Sequence, residues 1–350
     1  MEEDKKNKRI RWATISHLFL ALALVLLALA LLVSYALPRS SDFANSLVEH
    51  SPFPLVVMGY THTLSFRQLA QNVTSVRSFY ENQDFSQVGL RVDFSTPEGK
   101  KRLKVREKEV LNKMIEDEAI MILAQARGIT VTRDTARQGV ARKLQEYGTS
   151  KEVVANLKRL YGWTLTDFEE RVVVPSLYQE QLEQSFVKEV DGVSAAKKKI
   201  EQAQERLRQG DTFENVARDV SEGQTATTGG ELGWFSLSDL APELRKPVAL
   251  EKVGVSGDVI ESSLGFHIIL VEEVKTEQGN QLYRLRQIFA RKITFPDWLT
   301  EQMKTLPVWV LSSEYHLDRE TTRVLFKDPA LRTFEDELYK KSNGDALLLF

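Results

Sequence analysis

Three blocks of sequence decide how this 350-residue chain is read: GGELGWF at residues 229–235, PELRKPVALEKVG at 242–254, and GFHIILVEEV at 265–274. In the first block Gly229, Gly230 and Gly233 free the backbone for a tight, left-handed bend. Trp234 and Phe235 are then expected to enter a core. The third block reads as a strand, with His267 held between Phe266 and Ile268. Taken alone, a histidine in that position is more often a packed structural residue than a reactive one. Upstream, Ile200, Ala203 and Leu207 stripe a helix that stops at Gly210. Residues Asp211 to Glu214 open a second helix whose Phe213, Val216, Ala217 and Val220 face inward.

In this order and spacing over about 85 residues, the blocks resemble the parvulin (PpiC, rotamase) family of peptidyl-prolyl isomerases. That family carries a GG-x-LGWF turn and strand, a P-x-x-x-x-A-L-x-x-G helix and a closing G-[YF]-H-I-I-x-V strand. The resemblance implies an antiparallel sheet with helices packed on it. It also implies that His267 faces the site and helps hold its hydrogen-bond network, and that Leu240 and Leu244 take the family's apolar proline-pocket positions. Trp234 and Phe235 either support that pocket or simply pack the core. The activity implied is rotation about X-Pro bonds, against an amide barrier of about 18 to 20 kcal/mol. A water-poor pocket that favours the twisted amide lowers that barrier with no covalent step. No cofactor is implied.

The chain departs from the family in two places. Counting back from Gly233, the position of the family's Cys or Asp is Gly223, so Glu222 beside it is the remaining polar candidate. The family's first strand, R-H-I-L-V, is also missing before the first helix, where VKEVDGVSAA stands. Beyond the third block, however, a Gly279-Asn280 turn leads into YRLRQIFARKI, which alternates with period two. A hairpin from His267–Val271 to Leu285–Ala290 would fill the vacancy, giving a permuted domain with its first strand supplied by residues 283–291. Gln287 would then stand where the family has its other histidine. The candidate reacting residues are therefore His267, Gln287, Glu222 and Gly223.

Residues 38–190 read as helices. Ser65 and Gln68 form a capping box. Thr96, Pro97 and Gly128 bound a long helix striped by Val110, Leu111, Met114, Ile115, Ile122 and Leu123. Later helices are expected from about Thr132 to Tyr147, from Ser150 to Tyr161, and from a Thr166–Glu169 capping box, with Pro175 as a kink. This pattern, with Gly128-Ile129-Thr130-Val131-Thr132 and the run from Gly162 to Phe168, resembles the helical chaperone module of SurA- and PrsA-type foldases.

LFLALALVLLALALLVSYAL, residues 18–37, is long enough at 1.5 Å per residue to cross a hydrocarbon core. Lys5, Lys6, Lys8, Arg9 and Arg11 precede it, which places the N-terminus in the cytoplasm and the bulk outside. A cleaved signal peptide is the other reading, with Ser34-Tyr35-Ala36 as its small-residue site. The expected architecture is α+β: a cytoplasmic tail (1–12), a transmembrane helix (13–37), a helical chaperone domain (38–190), a parvulin-like domain (191–292) and a C-terminal extension (293–350). The expected partners are extended, proline-containing polypeptides and the membrane.

With 47 Lys and Arg against 49 Asp and Glu, no strong field exists to hold nucleic acid. The absence of Cys removes disulfides and thiolate chemistry, and five scattered His residues without ligand spacing argue against a metal. The basic run from Lys100 to Lys108 is interleaved with Glu98 and Glu107 and reads as a solvated helix face. No nucleophile and base stand at hydrolase spacing.

Overall fold

The computed structural model describes residues 20, 22–35, 48, 50–83, 85, 92–189, 192–277 and 279–342. The chain divides into two compact units, with breaks between Glu183 and Gln184 and between Trp298 and Leu299, so that the C-terminal residues belong to the same unit as the N-terminal ones.

The first unit opens with a helix described over residues 22–35. Its Tyr35 hydroxyl donates to the Pro54 carbonyl at 2.9 Å, and its ring packs on Phe53 and Phe66. Among the described residues no helix is long and apolar enough to cross a membrane. The anchor expected over 13–37 lies partly outside the described residues, and the tail at 1–12 wholly so. Strands β1 (Pro54–Met58) and β2 (His62–Ser65) form a hairpin, and Ser65 with Gln68 makes the expected capping box on α1 (Phe66–Asn82). Thr96 caps α2 (Pro97–Ala126), which ends just before a left-handed Gly128. Leu111, Ile115 and Leu123 of its predicted stripe are buried; Val110 and Met114 line a cleft instead.

Next come α3 (Arg133–Tyr147) and α4 (Ser150–Asn156), the latter continuing as a π-helical turn over Leu157–Tyr161. The following helix, α5 (Leu165–Phe168), starts earlier than its sequence suggests: Thr164 and Asp167, rather than Thr166 and Glu169, form the capping box. Both pairs fit the pattern, and the observed start turns Phe168 into a core with Val140, Leu157 and Val173. A second π turn over Glu169–Val173 leads into α6 (Val174–Glu189). Pro175, which has no N–H to give the helical ladder, lies just past that turn.

In the second unit, α7 (Gly192–Arg208) and α8 (Phe213–Val220) precede β3 (Glu231–Phe235), α9 (Pro242–Leu250), β4 (Ile260–Glu261) and the long hairpin of β5 (Gly265–Glu277) and β6 (Asn280–Arg291). The four strands pair in the order β3-β6-β5-β4, all antiparallel. Strand β6, the last of these four in sequence, therefore occupies an interior position in the sheet and forms with β5 the hairpin expected for residues 283–291. One sheet face packs Phe266, Ile268, Ile288 and Ala290 against Ile200 of α7 and Val216 of α8. On the other, Ile269, Val271, Tyr283 and Leu285 meet Leu240, Leu244 and Val248. Alternation along β5 and β6 thus sends successive side chains into two separate apolar layers.

Helix α10 (Phe295–Thr305) leads back to the first unit. There β7 (Val308–Val310) pairs with β1, and a hairpin of β8 (Tyr315–Asp318) and β9 (Arg323–Phe326) precedes α11 (Pro329–Ser342). Lys108 of α2 and Glu335 of α11 form a buried ion pair, and Asn112 bonds both backbone groups of Val324.

Candidate active site

His267 lies on β5 with 6% of its surface exposed. Its Nε2 is 2.7 Å from Ser262 Oγ. That hydroxyl also accepts the backbone N–H groups of Leu264 and Gly265 and lies 3.2 Å from the Gly265 carbonyl. With the serine proton on that carbonyl, Nε2 is the donor and Nδ1 is left as a bare acceptor. Nδ1 is buried and has no hydrogen-bond partner among the described residues. Burial, partly opposed by Glu243 and aided by Lys292, pushes the pKa of His267 down to about 4. The ring is therefore neutral at ordinary pH.

Directly opposite His267 in the β5–β6 register is Phe289, not Gln287. Gln287 pairs with Ile269, one step along the same sheet face, and its backbone N–H donates to Gly230. The register shifts by one residue between Val271 and Glu273, a bulge that sets Phe289 rather than Ala290 opposite His267; Gln287 lies two residues away along β6.

The segment at 221–223 runs beside Phe289. Ser221 Oγ accepts from the Phe289 N–H at 3.1 Å, and the Glu222 N–H donates to the Phe289 carbonyl at 2.7 Å. Glu222 does not supply the missing polar group. Its carboxylate is taken by Lys199 Nζ at 2.8 Å and by the Arg291 N–H at 2.7 Å. Partial burial raises its pKa, but those two donors outweigh that and hold it below the usual range. Gly223 has room for a side chain: a Cβ there would meet Ser221 Oγ at 3.5 Å and Phe289 Cβ at 3.7 Å, both ordinary contacts.

Leu240 and Leu244, each 8% exposed, pack in the layer with Ile269 and Val271 on the His267 side of the sheet. Phe235 is half-buried against the same layer. Trp234 departs from expectation: it is 36% exposed, with Lys275 Nζ 4.5 Å from its ring centroid. Strand alternation puts it on the opposite side from Phe235, so only one of the two can enter that core. The structure thus gathers His267, Leu240, Leu244, Phe235 and Gln287 on one face, with Gly223 beside Phe289, and leaves Trp234 and the Glu222 carboxylate outside. Ser262 and Phe289 were not legible as site residues. Ser262 sits in an ordinary-looking ESSLG turn, and Phe289 depends on the bulge. No group of three or more metal-ligating side chains occurs among the described residues.

Residues 182–273 match the family described as Rotamase: PPIC-type PPIASE domain. The match stops within β5 and leaves β6 outside. A SurA chaperone of Nitrosospira multiformis is 35% identical over 120 residues, covering 32% of this chain and 27% of that protein. The SurA chaperone of Nitrosococcus oceani is 26% identical over 217 residues, covering 51% of each. The chain thus spans only a quarter to a half of the relatives it matches. A crystal structure of peptidylprolyl isomerase (PrsA) from Bacillus anthracis aligns over 67% of this chain and 97% of that one at 19% identity, with a TM-score of 0.19. That last likeness is too weak to carry a structural argument. Residues 182–273 are thus similar to the PPIC-type rotamase domain, and parts of the chain are similar to SurA chaperones.

Proposed function

We propose that the chain is a membrane-anchored, extracytoplasmic foldase that holds extended polypeptides and isomerises their X-Pro bonds. The observation that carries this reading is the placement of His267. It is buried and neutral, bonded to Ser262, with its second ring nitrogen unsatisfied, on the sheet face that also presents Leu240 and Leu244. An uncharged, water-poor histidine beside apolar side chains suits a reaction whose transition state is a twisted, less polar amide. The strand order β3-β6-β5-β4, with the last strand in the interior, supports a permuted form of the parvulin sheet. Anchoring is supported by the leucines at 20, 22, 24, 26 and 27, all exposed on the helix whose other end packs through Tyr35 on Phe53 and Phe66.

The test is a protease-coupled prolyl-peptide assay on the chain in lipid vesicles, with His267→Gln and Leu240→Ala as controls. An isomerisation rate above buffer, lowered by both substitutions, is the expected result. Protease added outside inverted and right-side-out vesicles reports orientation, and full protection in only one of them is expected.

A second reading, a rotamase-like domain that grips clients without turnover, has specific support. Gly223 offers no polar side chain, and the Phe289 ring lies against His267 with centroids 4.8 Å apart. A rate equal to buffer, with client binding intact, would leave this reading alone standing.

A further inference from the structure

The first unit contains a cleft of about 420 Å³ between α1, α2 and the segment from Trp163 to Tyr178. That volume falls within the usual range of small-ligand pockets, about 300 to 1,000 Å³. Its floor is apolar, formed by Leu64, Val76, Met114, Met121, Val174 and Tyr178. Flexible thioethers such as Met114 and Met121 accommodate side chains of different shape.

The far wall is held in place by polar contacts. Trp163 Nε1 donates to Ser75 Oγ at 2.7 Å, and the Arg171 guanidinium lies over the Trp163 ring at 5.6 Å while pairing with Asp167 at 3.0 Å. Glu170 and Arg171 both belong to the π turn Glu169–Val173. Such turns interrupt a helix at a cost and occur frequently at functional sites. Here the turn places two adjacent charged residues on the wall of one cleft.

The charges on that wall are unequal. Lys113 is held by Asp117 at 2.6 Å, Glu118 by His62 at 2.7 Å, and Arg171 by Asp167. Glu170, exposed at the mouth, forms no ion pair among the described residues. Burial holds the Asp117 carboxyl above its usual range even with Lys113 beside it, so an added cation nearby would be favourable. The cleft is therefore greasy inside and short of positive charge at its rim.

We propose that this cleft binds an apolar side chain of an extended client polypeptide that carries Lys or Arg one or two residues away, with the cation meeting Glu170. The proposal rests on the chaperone reading above and specifies which client segments are held. An extended strand puts neighbouring side chains within about 7 Å of one another, so one segment can reach both floor and rim.

The experiment uses the full chain in phosphatidylcholine vesicles, which carry no net charge, and three labelled unstructured peptides: Phe beside Lys, Phe beside Glu, and Ser beside Lys. Fluorescence anisotropy gives each affinity. The Phe–Lys peptide is expected to bind about threefold more tightly than Phe–Glu, the scale of one exposed ion pair, and Ser–Lys far more weakly. Glu170→Lys, an exposed substitution that leaves the fold intact, is expected to invert the Lys-to-Glu preference; Met114→Trp, which fills the floor, is expected to abolish binding of both Phe peptides. A preference unchanged by Glu170→Lys overturns the inference while leaving the chaperone reading in place. If no peptide binds and the wild-type chain also fails to delay aggregation of an unfolded protein, both are overturned.

Discussion

Phe289 stands directly across the β5–β6 hairpin from His267, with the two rings inclined by 33°. An apolar ring occupies the position opposite the histidine, and Gly223, in the segment that runs beside Phe289, has no side chain to offer. The deficit can be repaired. A Cβ at 223 meets nothing closer than 3.5 Å, and the backbone there is not left-handed. Gly223→Asp should therefore fold and bring a carboxylate beside Phe289. One hydrogen bond to a charged group contributes about 1.5 kcal/mol, so isomerase kcat/KM should rise about tenfold. A rate equal to wild type in the protease-coupled assay would show that the missing polar group does not limit catalysis.

Burial of His267 has a consequence for stability against pH. Its pKa falls from 6.5 to about 4 on folding, so between these values the unfolded chain binds the proton more readily. Stability is then unaffected above pH 6.5, declines as pH falls through the window from 6.5 to 4, and levels off below it. The loss attributable to this residue is at most about 3 kcal/mol. His267→Gln removes the titrating group. Chemical denaturation at pH 7.5 and pH 4.5 should show wild type losing more stability than the variant; equal losses would place the titration elsewhere.

The fold was legible wherever a local signal had only one tertiary solution. Ser65 with Gln68, Thr96 with Pro97, and the alternation from Tyr283 to Ala290 each gave the right element, because capping and period-two burial depend on neighbours in sequence. Legibility failed where two local solutions compete or where a contact is distant. Thr164 and Thr166 offer equivalent caps, and the choice between them depends on burying Phe168. The bulge near Glu272 has no composition signal, yet it decides that Phe289 rather than Ala290 faces His267. The β8–β9 hairpin passed unseen because its contacts with α2, Asn112 to Val324 and the Tyr315 hydroxyl to Glu107, are distant in sequence.

Lys108 and Glu335 illustrate the same long-range dependence energetically. Their side chains are each 9% exposed, and the pair joins α2 to the C-terminal helix α11. Removing one partner strands a buried charge, at a cost of about 3 to 5 kcal/mol, whereas replacing both with apolar residues of similar volume is close to neutral. Glu335→Leu alone should lower the denaturation midpoint strongly, and Lys108→Met with Glu335→Leu should restore most of it. A double variant as unstable as the single one would mean that the pair is needed for more than mutual neutralisation.

The glycine bend offers the sharpest local test, because its members look alike in sequence and differ in surroundings. Gly230 and Gly233 both have left-handed backbones, with φ of 80° and 90°. A Cβ at 233 would meet nothing within 4 Å, but one at 230 would lie 2.4 Å from the Gln287 carbonyl oxygen. That oxygen belongs to the interior strand β6, whose Gln287 N–H is bonded to the Gly230 carbonyl, so it cannot yield without detaching β6 from the bend. Gly233→Ala should cost only the conformational strain, about 1 to 2 kcal/mol. Gly230→Ala adds a backbone clash to the same strain and should cost several kcal/mol. Amide hydrogen exchange should show Gln287 losing protection in Gly230→Ala and keeping it in Gly233→Ala. Equal effects of the two substitutions would contradict the close approach of the bend to β6, on which the geometry of the His267 face depends.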